Sequence, residues 1–155
     1  GAGHEFVHQA IADPALRELA ERLMRAEAMP TIAAAEGQDL HAYADDLIAR
    51  FADPALRHRL AQIAMDGSQK IPQRWLDTAL VHNQRGEPFD AIRTGFEAWL
   101  WHLEDGRFVD DPHGAELARL AKEKGRAAVI ARCLLLTNGA SPLWPGYEAL
   151  VQKLL

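Results

Sequence analysis

Gln62-Ile63-Ala64-Met65-Asp66-Gly67-Ser68-Gln69-Lys70-Ile71-Pro72-Gln73-Arg74-Trp75 interrupts the helical pattern near the middle of the chain. It reads as a helix end, a short polar connection and the start of a second helix. Asp66-Gly67 is a stop signal, because glycine enters the left-handed conformation that closes helices at little steric cost. Pro72 suits the first turn of a new helix, where its missing N–H would have had no partner. Between the two signals, Ser68, Gln69 and Lys70 sit on a connection that rigid helices can aim, and such connections often carry function. The plainer reading is a solvated turn between helices.

Helical periodicity dominates on both sides of this stretch, and no alternating β-branched run is long enough for a strand. Upstream, a first helix is expected over about Ala2 to Ile11. A second starts at Asp13-Pro14, an Asp cap followed by Pro in the first turn. Leu16, Leu19, Ala20, Leu23 and Met24 form its apolar stripe, and Met29-Pro30 ends or kinks it. A third spans about Asp39 to Phe51, with Leu40, Tyr43, Leu47 and Ile48 on one face. Asp53-Pro54-Ala55-Leu56-Arg57 repeats Asp13-Pro14-Ala15-Leu16-Arg17 residue for residue. The same cap used twice predicts a helix running from Pro54 to the Asp66-Gly67 stop.

Downstream, Trp75, Leu76, Ala79 and Leu80 carry the period to about Asn83, and Arg85-Gly86-Glu87-Pro88 is a loop. Phe89 to Leu103 is the most apolar helix, with Ile92, Phe96, Trp99, Leu100 and Leu103 facing inward. Gly106 to Gly114 is the longest connection and reads as a mobile surface loop. Helices at about Ala115 to Lys124 and Arg126 to Leu136 are split by Gly125. A turn at Asn138-Gly139-Ala140-Ser141-Pro142 precedes a closing amphipathic helix, Gly146 to Leu155. The expectation is a single all-α domain of eight or nine helices.

Composition agrees with that class. The chain has 155 residues, 48% of them hydrophobic and 25% charged, which suffices for one domain with a real core. A net charge of -5 argues against a nucleic-acid surface, which needs a clustered basic field. No apolar run approaches the roughly 20 residues of a membrane span, and no signal segment opens the chain. The single cysteine, Cys133, lies in an apolar run and is expected to be a buried structural thiol. A cytoplasmic setting is the simplest expectation. Gly1-Ala2-Gly3-His4 has no Met and enters the helical pattern at once, as expected of a piece of a longer chain.

His4-Glu5-Phe6-Val7-His8 spells H-E-x-x-H. On a helix the two imidazoles would stand one turn apart and Glu5 could activate a zinc-bound water, with Glu27 as a conceivable further ligand. Against a zinc peptidase, Ile11 stands where the longer motif continues, and no sheet precedes the motif to hold a peptide. His41, His58, His82, His102 and His113 show no ligand spacing and are expected on helix surfaces or loops. Trp75, Trp99, Trp101 and Trp144 are expected to serve as packing payload. A noncatalytic helical interaction module is the other alternative.

The run Arg50-Phe51-Ala52-Asp53-Pro54, His58 and then Gln62 to Arg74 resembles the mannitol dehydrogenase family of polyol-specific long-chain dehydrogenases, which includes fructuronate and tagaturonate reductases. The resemblance begins at Gly1-Ala2-Gly3-His4-Glu5, passes through Ala12-Asp13-Pro14 and Glu27 to Pro30, and loosens after Trp75. It implies the C-terminal, substrate-side domain of a two-domain enzyme, all-α and of the 6-phosphogluconate-dehydrogenase-like type. The partner domain would be an N-terminal Rossmann domain. Such enzymes interconvert a polyol or sugar acid with its ketose or keto-uronate, using NAD or NADP and no metal. The family's catalytic lysine lies in a K-x4-N-x2-H pattern that this chain lacks, so the chain alone should be inactive. By the same resemblance Lys70 matches a substrate-binding lysine. Gln62 stands where an Arg often contacts substrate, and Arg74 is a weaker substrate-binding candidate. Asp66 and Ser68 are expected to build the turn, Asp66 through an Asx-type bond. No cofactor-binding or metal residue is implied.

Overall fold

The computed structural model describes residues 3–107, 110–138 and 147–155. Among these residues the chain is helical and has no strand. The helices are α1 (Val7–Ala12), α2 (Pro14–Arg22), α3 (Leu40–Ala52), α4 (Leu60–Ile63), α5 (Gly67–Ile71), α6 (Asp77–Arg85), α7 (Asp90–Glu104), α8 (Gly114–Lys124), α9 (Arg126–Asn138) and α10 (Tyr147–Leu154). Ten helices make nine continuous runs, because α5 and α6 are joined by a helical turn. They form two compact units, Gly1–Ile63 and Ala64–Leu155.

In the first unit, Asp13 opens α2 as its sequence signal predicts. Its Oδ1 accepts the Ala15 and Leu16 backbone N–H groups at 2.9 and 3.4 Å. The run then widens into a π-helical turn (Leu23–Ala28) that buries Glu27, and it closes with a 3₁₀ turn (Met29–Thr31) at Pro30. Asp39 caps α3 in the same way, on the N–H groups of His41 and Ala42. These bonds hold its carboxyl below the usual carboxylate range. Val7, Ile11 and Ile48 are the buried centre, with Met24, Phe51 and Leu60 packed against them. Ala44 takes the buried place on α3, and Tyr43, expected on that face, is exposed.

Two expectations fail here for one reason. The first helix starts at Val7, not Ala2, and the helix expected from Pro54 is only a 3₁₀ turn, Pro54–Leu56. Arg57 then turns left-handed at φ 43°, and the chain runs extended to Arg59. The two extended segments pair. Val7 N–H donates to the His58 carbonyl and Leu60 N–H to the Glu5 carbonyl, both at 2.9 Å, around an antiparallel Phe6–Arg59 bridge. The Arg57 guanidinium covers the Phe6 ring at 5.2 Å. Long-range pairing thus overrides a local helix signal.

In the second unit, α5 and α6 flank a π-helical turn, Pro72–Leu76. Pro72 has no N–H for the usual bond one turn back, and the Asp77 N–H reaches five residues back to the Pro72 carbonyl. Ile92, Phe96, Leu100 and Leu103 line the buried face of α7 as the spacing predicts, with Trp99 half-buried beside them. Glu104 takes Arg126 in two bonds of 2.7 and 2.8 Å, fastening α7 to α9. Glu116 likewise holds Arg132 between α8 and α9. Cys133 is fully buried, as expected, and burial pushes its thiol up to about 12. His82, expected at a surface, is buried instead, with Nδ1 2.9 Å from Glu87 Oε2 across the Gly86 helix end. His102 is half-buried, and burial pushes its pKa down. Trp144 and most of the turn from Asn138 to Pro142 lie outside the described residues.

Candidate functional site

The polar stretch from Asp66 to Lys70 is not a loop. Asp66 itself takes the left-handed conformation (φ 57°, ψ 31°), and Gly67 begins the helical run that continues to Arg85. Ser68, Gln69 and Lys70 therefore stand on the first turn of a helix, and Pro72 sits inside the run. Gly67 is there for space. A Cβ on it would stand 2.7 Å from the Trp99 indole nitrogen, closer than packed atoms approach, and a tight 3.3 Å from Asp111 Oδ2.

The first turn is capped from a distance. The Asp66 side chain makes no cap bond, so the expected Asx-type bond is absent. The Asp66 carbonyl accepts the Gln69 and Lys70 N–H groups at 3.0 and 2.9 Å. Asp111, 43 residues away, supplies the carboxylate. Its Oδ2 accepts the Ser68 N–H at 2.7 Å and its Oδ1 accepts the Ser68 hydroxyl. Ser68 is fully buried, so water offers neither group an alternative. Asp111 Oδ1 also accepts the His113 N–H at 3.0 Å, and the Asp111 carbonyl accepts the Gly114 N–H. One residue thus ties the start of α5 to the start of α8. At Asp111 the connection read as mobile is anchored. Asp110-Asp111-Pro112 has ordinary loop composition, and nothing in its residue types marks Asp111 as a partner of Ser68.

Lys70 is half-buried, and its Nζ donates to the Met65 carbonyl at 2.6 Å and stands 3.8 Å from Asp66 Oδ2. The bond takes one of three ammonium protons; two remain for oxygen acceptors. A cation in the first helical turn stands at the positive end of the helix dipole, where it is disfavoured, and the Asp66 and Asp111 carboxylates offset that. Arg74 lies four residues on along the same run; it is exposed and has no ion-pair partner among the described residues. Gln62 is exposed on α4 of the first unit, with no side-chain hydrogen bond among the described residues.

The H-E-x-x-H spacing loses its premise. His4 and Glu5 precede α1 in extended chain, so His4 and His8 do not share a helix face. His4 Nε2 stands 4.0 Å from Asp13, and the His8 ring stacks on Phe6. No group of three His, Cys, Asp or Glu side chains among the described residues is placed to hold a metal ion. No helix among them is long and apolar enough to cross a membrane. With no strand among them, there is also no β-α-β turn to cradle a dinucleotide.

Comparison with known proteins agrees with this architecture. The chain is 43% identical over 124 residues to the D-mannonate oxidoreductase of Escherichia coli, covering 76% of this chain and 26% of that protein. A D-sorbitol dehydrogenase in substrate-free form superposes with a TM-score of 0.77 at 26% identity, over 98% of this chain and 32% of that one. The Pseudomonas fluorescens mannitol 2-dehydrogenase, solved with NAD and D-mannitol, shares the fold with a TM-score of 0.72 at 23% identity and the same coverage. The chain thus spans about a quarter to a third of these proteins. Residues 1–132 match the family described as mannitol dehydrogenase C-terminal domain, and the chain belongs to that family.

Proposed function

We propose that this chain is the substrate-side helical domain of a longer NAD(P)-dependent oxidoreductase that interconverts a linear polyol or sugar acid with its ketose or keto-uronate. The reading is supported by membership of the family and by the short span of the chain against its relatives. The higher identity to a D-mannonate oxidoreductase than to the sorbitol enzyme favours the sugar acid.

The observation that carries the site is Lys70. Its ammonium is held on a fixed helical turn by the Met65 carbonyl, with two donors left over. Those donors suit vicinal hydroxyls or a carboxylate, and a charge-assisted bond there orients the substrate. Gln62 and Arg74 are the further proposed contacts. Gln62 can donate and accept but carries no charge, so it suits a hydroxyl better than a carboxylate. Nothing in this chain is assigned a catalytic role. The nucleotide, which supplies hydride transfer when bound, belongs with a Rossmann domain elsewhere in the enzyme. We place the enzyme in the cytoplasm.

Hydride transfer by the longer enzyme tests this, followed as NAD(P)H absorbance with D-mannonate, D-mannitol and D-sorbitol. Turnover of at least one of them is expected, and none by the 155-residue chain alone. Turnover of none by the longer enzyme, with either nucleotide, would overturn the reading, as would hydride transfer by the isolated chain.

A further inference from the structure

We propose that Asp111 is the positioning residue for Lys70: its carboxylate seats the start of the helical run from Gly67 and so sets where the Lys70 ammonium stands. This rests on the reading that Lys70 contacts the substrate.

Three observations converge. Asp66 occupies the cap position yet lends its side chain no cap bond, so the first turn depends on an acceptor from elsewhere. Asp111 is that acceptor, through both carboxylate oxygens and from both donors of a fully buried Ser68, the N–H and the hydroxyl, two residues before Lys70. Asp111 is itself held by the His113 N–H and, through its carbonyl, by the Gly114 N–H, so the start of α8 fixes the seat. Lys70, held locally by Met65 and Asp66, is thereby also referenced to α8 through Ser68. The Trp99 indole and the Asp111 carboxylate both crowd the point a Cβ on residue 67 would take, so the seat needs a glycine there. A displacement of about 1 Å in such a group is enough to cost substantial activity, because polar recognition depends on distance and direction.

The test is steady-state kinetics of the longer enzyme on D-mannonate or D-mannitol, whichever it turns over. The variants are K70A, D111A, D111N, S68A and the double variant D111A/K70A. D111A is expected to raise KM about ten-fold, the size of losing one charge-assisted bond, with kcat changed less. D111N keeps one acceptor for the Ser68 N–H and should recover most of the loss. S68A removes only the hydroxyl bond and leaves the backbone N–H bond to Asp111, so it should raise KM by a smaller step, about two- to three-fold. In the K70A background D111A should add nothing further to KM, because the group it positions is gone.

A fall in thermal stability with unchanged KM in D111A would overturn the inference. An equal rise in KM with and without Lys70 would do the same. If D111A does not fold, S68A decides: unchanged KM there rejects the role. If K70A alone leaves KM unchanged, both this inference and the Lys70 reading fall. If K70A raises KM and D111A does not, only the Asp111 role is rejected.

Discussion

The Trp99 indole nitrogen stands 2.7 Å from the point a Cβ on Gly67 would occupy. Gly67→Ala should therefore force the indole or the helix start to move, lowering unfolding free energy by about 1–3 kcal/mol as overpacking does. Gly95, where a Cβ would meet the Trp75 ring at 2.9 Å, should behave alike. Urea denaturation checks both. In a Trp99→Phe background the Gly67→Ala cost should shrink, because the crowding atom is gone; an unchanged cost would show that the contact is not the cause.

Cys133 is fully buried, and its thiol is pushed up to about 12, first by desolvation. The thiolate is the reactive form, so at pH 8 the native thiol should resist iodoacetamide over hours and react once urea unfolds the chain. Rapid labelling of the native protein would mean that the α8–α9 packing opens readily.

The Arg126 hydrogen bond holds the Glu104 carboxyl below its ordinary value of 4.5. A group whose folded pKa is depressed contributes stability above its unfolded pKa and loses it as pH falls through the folded value. Stability from this pair should thus be intact at neutral pH and decline below about pH 4.5. Both side chains are about a third exposed, so the contribution is modest, under about 1 kcal/mol after solvent screening. Glu104→Gln should flatten that part of a urea-midpoint-against-pH curve; an unaltered acid limb would show that the pair carries no pH-dependent stability.

Metal removal offers a sharp contrast between readings. His4 and His8 lie on different kinds of backbone, extended and helical, so chelation with EDTA should leave the activity of the longer enzyme and the melting temperature of this chain unchanged. One bound zinc per chain, lost together with stability, would revive the H-E-x-x-H site.

How far these features can be read without coordinates differs from place to place. The i, i+4, i+8 spacing of Ile92, Phe96 and Leu100 was enough to give the buried face of α7, because helix period and burial are the same local fact there. The Asp-Pro-Ala-Leu-Arg pentapeptide shows where that stops working. At Asp13 it opens a long helix, and at Asp53 it makes a single 3₁₀ turn. What differs is the pairing of Glu5 and Val7 with His58 and Leu60, which no local window contains. The site divides in the same way. Lys70 stands out from residue type and family resemblance. Asp111 does not, because its partner Ser68 is 43 residues away and its neighbours look like ordinary loop composition. Gly67 was legible as a special position but for the wrong reason: the left-handed residue is Asp66, and the glycine makes room for Trp99.

The most direct measurement is the KM of Lys70→Ala in the longer enzyme, set beside its melting temperature. Lys70 is half-buried, and the polar partners of its ammonium among the described residues are the Met65 carbonyl and the Asp66 carboxylate. Loss of those contacts should cost stability little, about 1 kcal/mol. Loss of a charge-assisted bond to substrate should raise KM about ten- to a hundred-fold. That combination, a large KM change on a nearly wild-type fold, is the expected result. A wild-type KM in Lys70→Ala would contradict the assignment of this helix start as the substrate-facing part of the domain.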